Sequence, residues 1–210
     1  MTSSTTNAET PARKSSIPTA LTLFRIAMGP AIAALILWAA NDTYKDPLLA
    51  GFIYALALIL FVLAAASDWL DGWLARKLDA VTPLGAALDH SADKVLITCV
   101  LVALAYAALP LMLTAAAVII LGRDVAVAGL REGLSQAGRT LPVSSLGKWK
   151  AAAEMAGVGA FLAFQSAALL QGPQSLILGL DWAARLLIWA AALLALISGA
   201  QYAAAAAQRA

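Results

Sequence analysis

The strongest constraint on this chain is a series of long apolar runs. They cover residues 20–40, 48–66, 95–121, 151–170 and 182–207, and hold only three charged side chains, Arg25, Glu154 and Arg185. A helix crosses the hydrocarbon of a bilayer with about 20 apolar residues. The third run exceeds one crossing and contains Pro110, so it divides near Leu109-Pro110-Leu111, and its second part continues through Gly122-Arg123-Asp124 toward Gly129. Six transmembrane helices are expected. Hydrophobic residues make up 62% of the chain, whereas a soluble domain is about half apolar.

Charge is sorted by position. With the N-terminus in the cytoplasm, only Lys45 and Arg185 of the fourteen Lys and Arg fall outside. The others lie on or near the inner side, which is the positive-inside pattern. A net charge of +2 leaves no basic footprint for nucleic acid. A single cysteine, Cys99, excludes an intrachain disulfide. The small residues around Trp38-Ala39-Ala40 could suit a signal-peptide cleavage site, but the spans that follow fit a retained anchor better.

Residues 1–15 are rich in Ser, Thr and Ala and read as a disordered cytoplasmic tail; residues 16–210 form one membrane domain. "IPTALTLFRIAM", from Ile17, reads as a short interfacial helix or the inner end of the first span, with Arg25 snorkelling to the headgroups. Trp38, Trp69, Trp73, Trp149, Trp182 and Trp189 mostly fall near span ends, as an interfacial belt would.

The polar stretch "SDWLDGWLARKLDAVTPLGAALDHSADK" lies between the second and third spans. Asp68 and Asp71 are three apart and share a helix face; Asp89 and Asp93, four apart, share another. Two antiparallel helix ends can aim all four carboxylates at one space. Such a group beside lipid needs cations to neutralise it. Arg76 and Lys94 could supply part, and a pair of divalent cations would serve better, since oxygen-only ligands suit Mg²⁺ or Mn²⁺. Gly72, Ala75, Gly85, Ala86 and Ala87 leave room for a ligand to approach the backbone. Together these point to a metal-bridged phosphate or diphosphate, with one carboxylate left to take a proton.

Written as spacing, the stretch is D-x2-D-G-x2-A-R-x8-G-x3-D-x3-D, filled by Asp68, Asp71, Gly72, Ala75, Arg76, Gly85, Asp89 and Asp93. It resembles the signature of the CDP-alcohol phosphotransferases, integral membrane enzymes of phospholipid synthesis. That resemblance implies an all-α fold of six transmembrane helices, usually homodimeric, in a bacterial inner membrane with its active site facing the cytoplasm. It implies two divalent cations held by Asp68, Asp71, Asp89 and Asp93, and a CDP moiety against Asp68, Gly72, Ala75, Arg76 and Gly85. Asp93 would be the general base. It would deprotonate an acceptor alcohol that attacks the β-phosphate of a CDP-lipid and expels CMP.

Outside the signature, "IPTALTLFRI", "GRDVAVAGLREGL" and "LGKWKAAAEM" resemble bacterial family members that join CDP-diacylglycerol to sn-glycerol 3-phosphate. Arg123, Arg131, Lys148 and Lys150 are the candidates for the acceptor's phosphate; their bland reading is positive-inside anchoring. Arg139 reads as topological and Asp79 as a solvated loop charge. His90 points about 100° from Asp89 on a helix and reads as interfacial. Asp124 and Glu132 are expected to pair with nearby Arg residues, and Glu154 to orient Lys150. The chain departs from the family's common pattern at Thr19, His90, Asp124, Ala151 and Glu154, mostly on the acceptor side. Inositol phosphate, serine or phosphatidylglycerol are rival acceptors. A cation or proton transporter is the rival class, disfavoured because the carboxylates cluster at one membrane face.

Overall fold

The computed structural model describes residues 16–77, 83–136 and 145–207, with backbone alone at 16–21, 68–77 and 83–90. Among the described residues every regular element is helical: α1 (Ser16–Asp42), α2 (Pro47–Lys77), α3 (Pro83–Ala107), α4 (Leu111–Gln136), α5 (Ser145–Leu169) and α6 (Gln174–Ala207). α3 and α4 part around Pro110, as the sequence predicts. α1 runs unbroken from Ser16, so "IPTALTLFRIAM" is its inner end and not a separate short helix.

Local chemistry sets the turns. The Asp46 carboxylate accepts a hydrogen bond from the Leu49 amide at 3.0 Å, capping α2, while Pro47 takes the first helical position. At the end of α5 the Gly172 amide reaches the Ala167 carbonyl at 2.9 Å and the Gln171 amide reaches Ala168 at 3.3 Å. This paired closure demands a left-handed residue, and Gln171 supplies it with φ 56°.

Five of the described helices are long and apolar enough to cross a membrane: α1, α2, α4, α5 and α6. Their outward faces carry exposed Phe52, Leu56, Ile59, Leu186, Leu193 and Ile197. In water such continuous apolar surface would be a liability; in lipid it is the ordinary exterior. The interior is built from Ile32, Ile36, Tyr54, Phe61, Leu104 and Phe161, all nearly or fully buried.

α1 packs on both α2 and α3, α2 on α5, and α6 on both α4 and α5. Two glycines bring backbones together. A Cβ on Gly29 would stand 3.1 Å from Leu96 Cα and 3.2 Å from the Val95 carbonyl oxygen. One on Gly157 would stand 2.9 Å from Ile188 Cγ1 and 3.0 Å from its amide nitrogen. Small residues allow this approach where no hydrophobic force drives helices together in lipid.

The Gly29 contact fixes a register. One turn toward the inner side on α1 lies Arg25; three residues back from Leu96 on α3 lies Asp93. We therefore expect Gly29→Val to lower thermal stability in detergent by about 1–3 kcal/mol, the cost of overpacking. Gly122→Ala should instead raise it, by about 0.5–1 kcal/mol of helix propensity, because nothing lies within 4 Å of a Cβ there. Equal melting of the Gly29→Val variant and the parent would refute the close-packing account.

Candidate active site

The helix registers converge on a polar cavity of about 160 Å³ near one end of the bundle. Asp93 and Lys94 reach it from α3, Arg123 and Asp124 from α4, and Lys150 and Glu154 from α5. On α5, Gly147, Lys150, Ala151, Glu154 and Met155 line it at spacings of three and four, one helical face.

Arg25 is fully buried, and its Nη1 donates to Asp93 Oδ1 at 2.9 Å. This corrects the snorkelling expectation. The Gly29 contact turns this face of α1 onto α3, so the guanidinium meets a carboxylate before it could meet water. Asp93 keeps 32% of its side chain exposed while it lines the cavity.

Lys150 is buried between two carboxylates, at 2.6 Å from Asp124 Oδ2 and 2.6 Å from Glu154 Oε2. Glu154 thus orients Lys150 from the next turn, as expected. Its other oxygen, Oε1, is buried with no hydrogen-bond partner. Asp124 also accepts from Arg123 Nη1 at 3.1 Å. Among the described residues Glu132 meets no Arg; it accepts from Gln136 Nε2 at 3.0 Å.

Arg123 and Arg131 stand eight residues apart on α4, on nearly one face, and both turn to α6. Arg123 Nη2 donates to Ser198 Oγ at 2.9 Å. Arg131 Nη2 donates to Tyr202 Oη at 2.7 Å. Their guanidinium carbons lie 5.5 and 5.0 Å from the Tyr202 ring centroid. Arg123 also crosses Gly199 closely, since a Cβ there would stand 3.1 Å from Arg123 Cγ.

Of the candidate site residues the sequence singles out, Asp93, Arg123 and Lys150 line the cavity, whereas Arg131 does not line it and is held by Tyr202 beside Arg123. Lys148 is exposed and does not line it. Asp68, Asp71, Gly72, Ala75 and Arg76 fall on the inner turns of α2, and Gly85, Asp89 and His90 on those of α3; their side chains lie outside the described residues. Asp79, Arg139 and the tail 1–15 also lie outside them. Trp38, Trp149 and Trp182 are more than half exposed, which fits an interfacial belt.

Sequence reasoning missed the contribution of α6. The signal was present as "ISGAQY": Ser198, Gly199 and Tyr202 share one face of a helix otherwise built mainly from Ala and Leu. It also placed Lys94 only with the aspartates, whereas Lys94 lines the cavity within electrostatic range of Arg123, Arg131 and Lys150.

Among the described residues the charges that line the cavity balance, with Lys94, Arg123 and Lys150 against Asp93, Asp124 and Glu154. Two further cations stand beside it, Arg25 on Asp93 and Arg131 on Tyr202. This charged cluster lies at the end of the bundle where α3 carries Asp93, the last member of the aspartate spacing. The chain belongs to the CDP-alcohol phosphatidyltransferase family, whose model matches residues 15–201.

Its relatives narrow the class. A CDP-diacylglycerol–glycerol-3-phosphate 3-phosphatidyltransferase of Rickettsia bellii is 36% identical, over 89% of this chain and 92% of that one. The Pseudomonas fluorescens protein of the same name is 38% identical, over 66% of this chain and 68% of its own. A CMP-forming cardiolipin synthase of Oryza sativa is 34% identical over 76% of this chain, but only 49% of that longer protein is matched.

Two substitutions test the buried pairs. Arg25→Met should lower turnover at least about tenfold, equivalent to about 1.4 kcal/mol of barrier, and Arg25→Lys should restore part of it. Parental rates for Arg25→Met would remove Arg25 from the site. Lys150→Met should destabilise the fold by about 3–5 kcal/mol, because it strands the buried Glu154 carboxylate and takes one of two cations from Asp124. Lys148→Met should melt like the parent, and equal melting of the two variants would contradict the pairing.

Proposed function

We propose that this protein transfers the phosphatidyl group of CDP-diacylglycerol to sn-glycerol 3-phosphate and releases CMP. The observation that carries the acceptor is the pair Arg123 and Arg131, which stand at or beside the Asp93 cavity and are held in part by the neutral Ser198 and Tyr202. A phosphate monoester carries about −1.5 to −2 charges at neutral pH, which two guanidinium groups match. The names of the bacterial relatives support the same reaction.

In this reading the acceptor's phosphate sits among Arg123, Arg131 and Lys150, with Lys94 adding charge; Lys148, exposed and outside the cavity lining, is left out of it. Lys150 is already paired twice, so the arginines carry most of the attraction. The orphan Glu154 Oε1 is a ready acceptor for a hydroxyl of the glycerol. The CDP moiety lies against Asp68, Gly72, Ala75, Arg76 and Gly85. Two divalent cations, Mg²⁺ or Mn²⁺, would be held by Asp68, Asp71, Asp89 and Asp93. Asp93 fits such a group: it is an oxygen ligand, open to the cavity, and Arg25 fixes one of its oxygens. Bound there, the cations neutralise the diphosphate.

Asp93 accepts the proton of the acceptor hydroxyl. The hydroxyl oxygen bonds to the β-phosphorus as the bond from that phosphorus to the bridging oxygen breaks. CMP leaves with the electron pair. The protein's share is positioning and charge, the usual form of catalysis for phosphoryl transfer. α3 is taken as the sixth span, since it lies along α1. The active site faces the cytoplasm of a bacterial inner membrane, and the enzyme is a homodimer.

Purified protein in mixed micelles with CDP-diacylglycerol and Mg²⁺ or Mn²⁺ should release CMP with glycerol 3-phosphate. It should do so far more slowly with inositol phosphate, serine or phosphatidylglycerol. Faster release with another of these would reassign the acceptor, and none with any would overturn the chemistry. Asp93→Asn should cut the rate by about 10² or more, as loss of a general base does, while CDP-lipid binding partly survives. A parental rate in that variant would overturn the base assignment.

A further inference from the structure

We infer that α6 is the positioning element of the acceptor site: Tyr202 holds Arg131 through a neutral group, and Ser198 and Gly199 seat the side of Arg123 that Asp124 does not take, so that guanidinium charge stays available to the acceptor's phosphate. This rests on the reading of the two arginines given above.

An arginine buried in a membrane protein is normally held by a carboxylate, as Arg25 is by Asp93. That arrangement cancels the charge. Arg131 is held differently. Its one hydrogen-bond partner among the described residues is the phenol oxygen of Tyr202 at 2.7 Å, and no carboxylate pairs with it there. Arg123 shares Asp124 with Lys150, and its other nitrogen is held by the Ser198 hydroxyl. Both guanidinium groups also lie near the same tyrosine ring. The ring's negative face attracts cations without neutralising them.

The seat is built and rigid. Ser198 is fully buried, and its hydroxyl donates to the Leu194 carbonyl at 2.6 Å, which leaves its lone pairs for Arg123. Tyr202 is 5% exposed. Gly199 lets the Arg123 stem cross α6 closely. The Nε atoms of both arginines are buried with no hydrogen-bond partner. Each therefore has a donor left for an anion, and a dianionic phosphate is the chemistry that would use them.

Tyr202 thus acts through the arginines as a positioning residue. The test is steady-state kinetics on the full chain in micelles, with melting temperature measured alongside. Tyr202→Phe keeps the ring and removes the hydroxyl, and should raise KM for glycerol 3-phosphate about 3- to 10-fold. Tyr202→Glu supplies a carboxylate that consumes the arginine charge, and should raise it further, with KM for CDP-diacylglycerol within about twofold of the parent in both. Arg131→Gln is the reference for the underlying reading and should show the same split. If Arg131→Gln raises that KM and the tyrosine variants do not, the seat is overturned while the acceptor reading stands. If Arg131→Gln has no such effect, the acceptor role of Arg131 falls and the seat with it. A matched rise in both KM values for Tyr202→Phe, with a lowered melting temperature, would make the tyrosine merely structural.

Discussion

Arg25 is a permanent cation with no exposed surface, inside a helix that the sequence presents as a membrane span. A charge in that setting must meet an opposite charge or a dense set of acceptors. It meets Asp93 at 2.9 Å, across the interface that Gly29 brings close. The consequences spread from there. The first and third helices are locked in register, and Asp93 is aimed into the cavity. The carboxylate that the reaction would use is anchored by a residue from another helix.

A similar logic orders the far wall in two styles. Lys150 is trapped between Asp124 and Glu154, a neutralised pairing that ties α4 to α5. Arg123 and Arg131 lean on a serine and a tyrosine from α6. The first style cancels charge. The second leaves Arg131 without a carboxylate among the described residues, while Arg123 keeps Asp124 on its other side.

Much of this was legible in the sequence, though not evenly. Apolar run length and Pro110 placed the helices, because both act locally through hydropathy and backbone restriction. The aspartate spacing was legible because fixed separations on a helix define faces. The Lys150–Glu154 pair was legible for the same reason, lying one turn apart. Partners from distant helices were not. Nothing in "LFRIAMG" distinguishes an arginine bound for the headgroups from one bound for Asp93, since the outcome depends on how α1 is rotated against α3. Tyr202 was hidden likewise, its meaning set by the crossing of α4 and α6 and not by its neighbours in the chain. Lys148 and Lys150, two residues apart, looked alike in sequence, and only the rotation of α5 separates an exposed cation from a buried one.

In the proposed reaction Arg123, at the Asp93 cavity, receives the phosphate of the acceptor and not that of the CDP-lipid. The most direct measurement is the pair of KM values for Arg123→Gln in micelles. The account predicts a rise of about tenfold or more for glycerol 3-phosphate, about 1.4 kcal/mol of lost binding per tenfold, with the value for CDP-diacylglycerol nearly unchanged. A rise confined to CDP-diacylglycerol would contradict it and move Arg123 to the nucleotide side of the reaction.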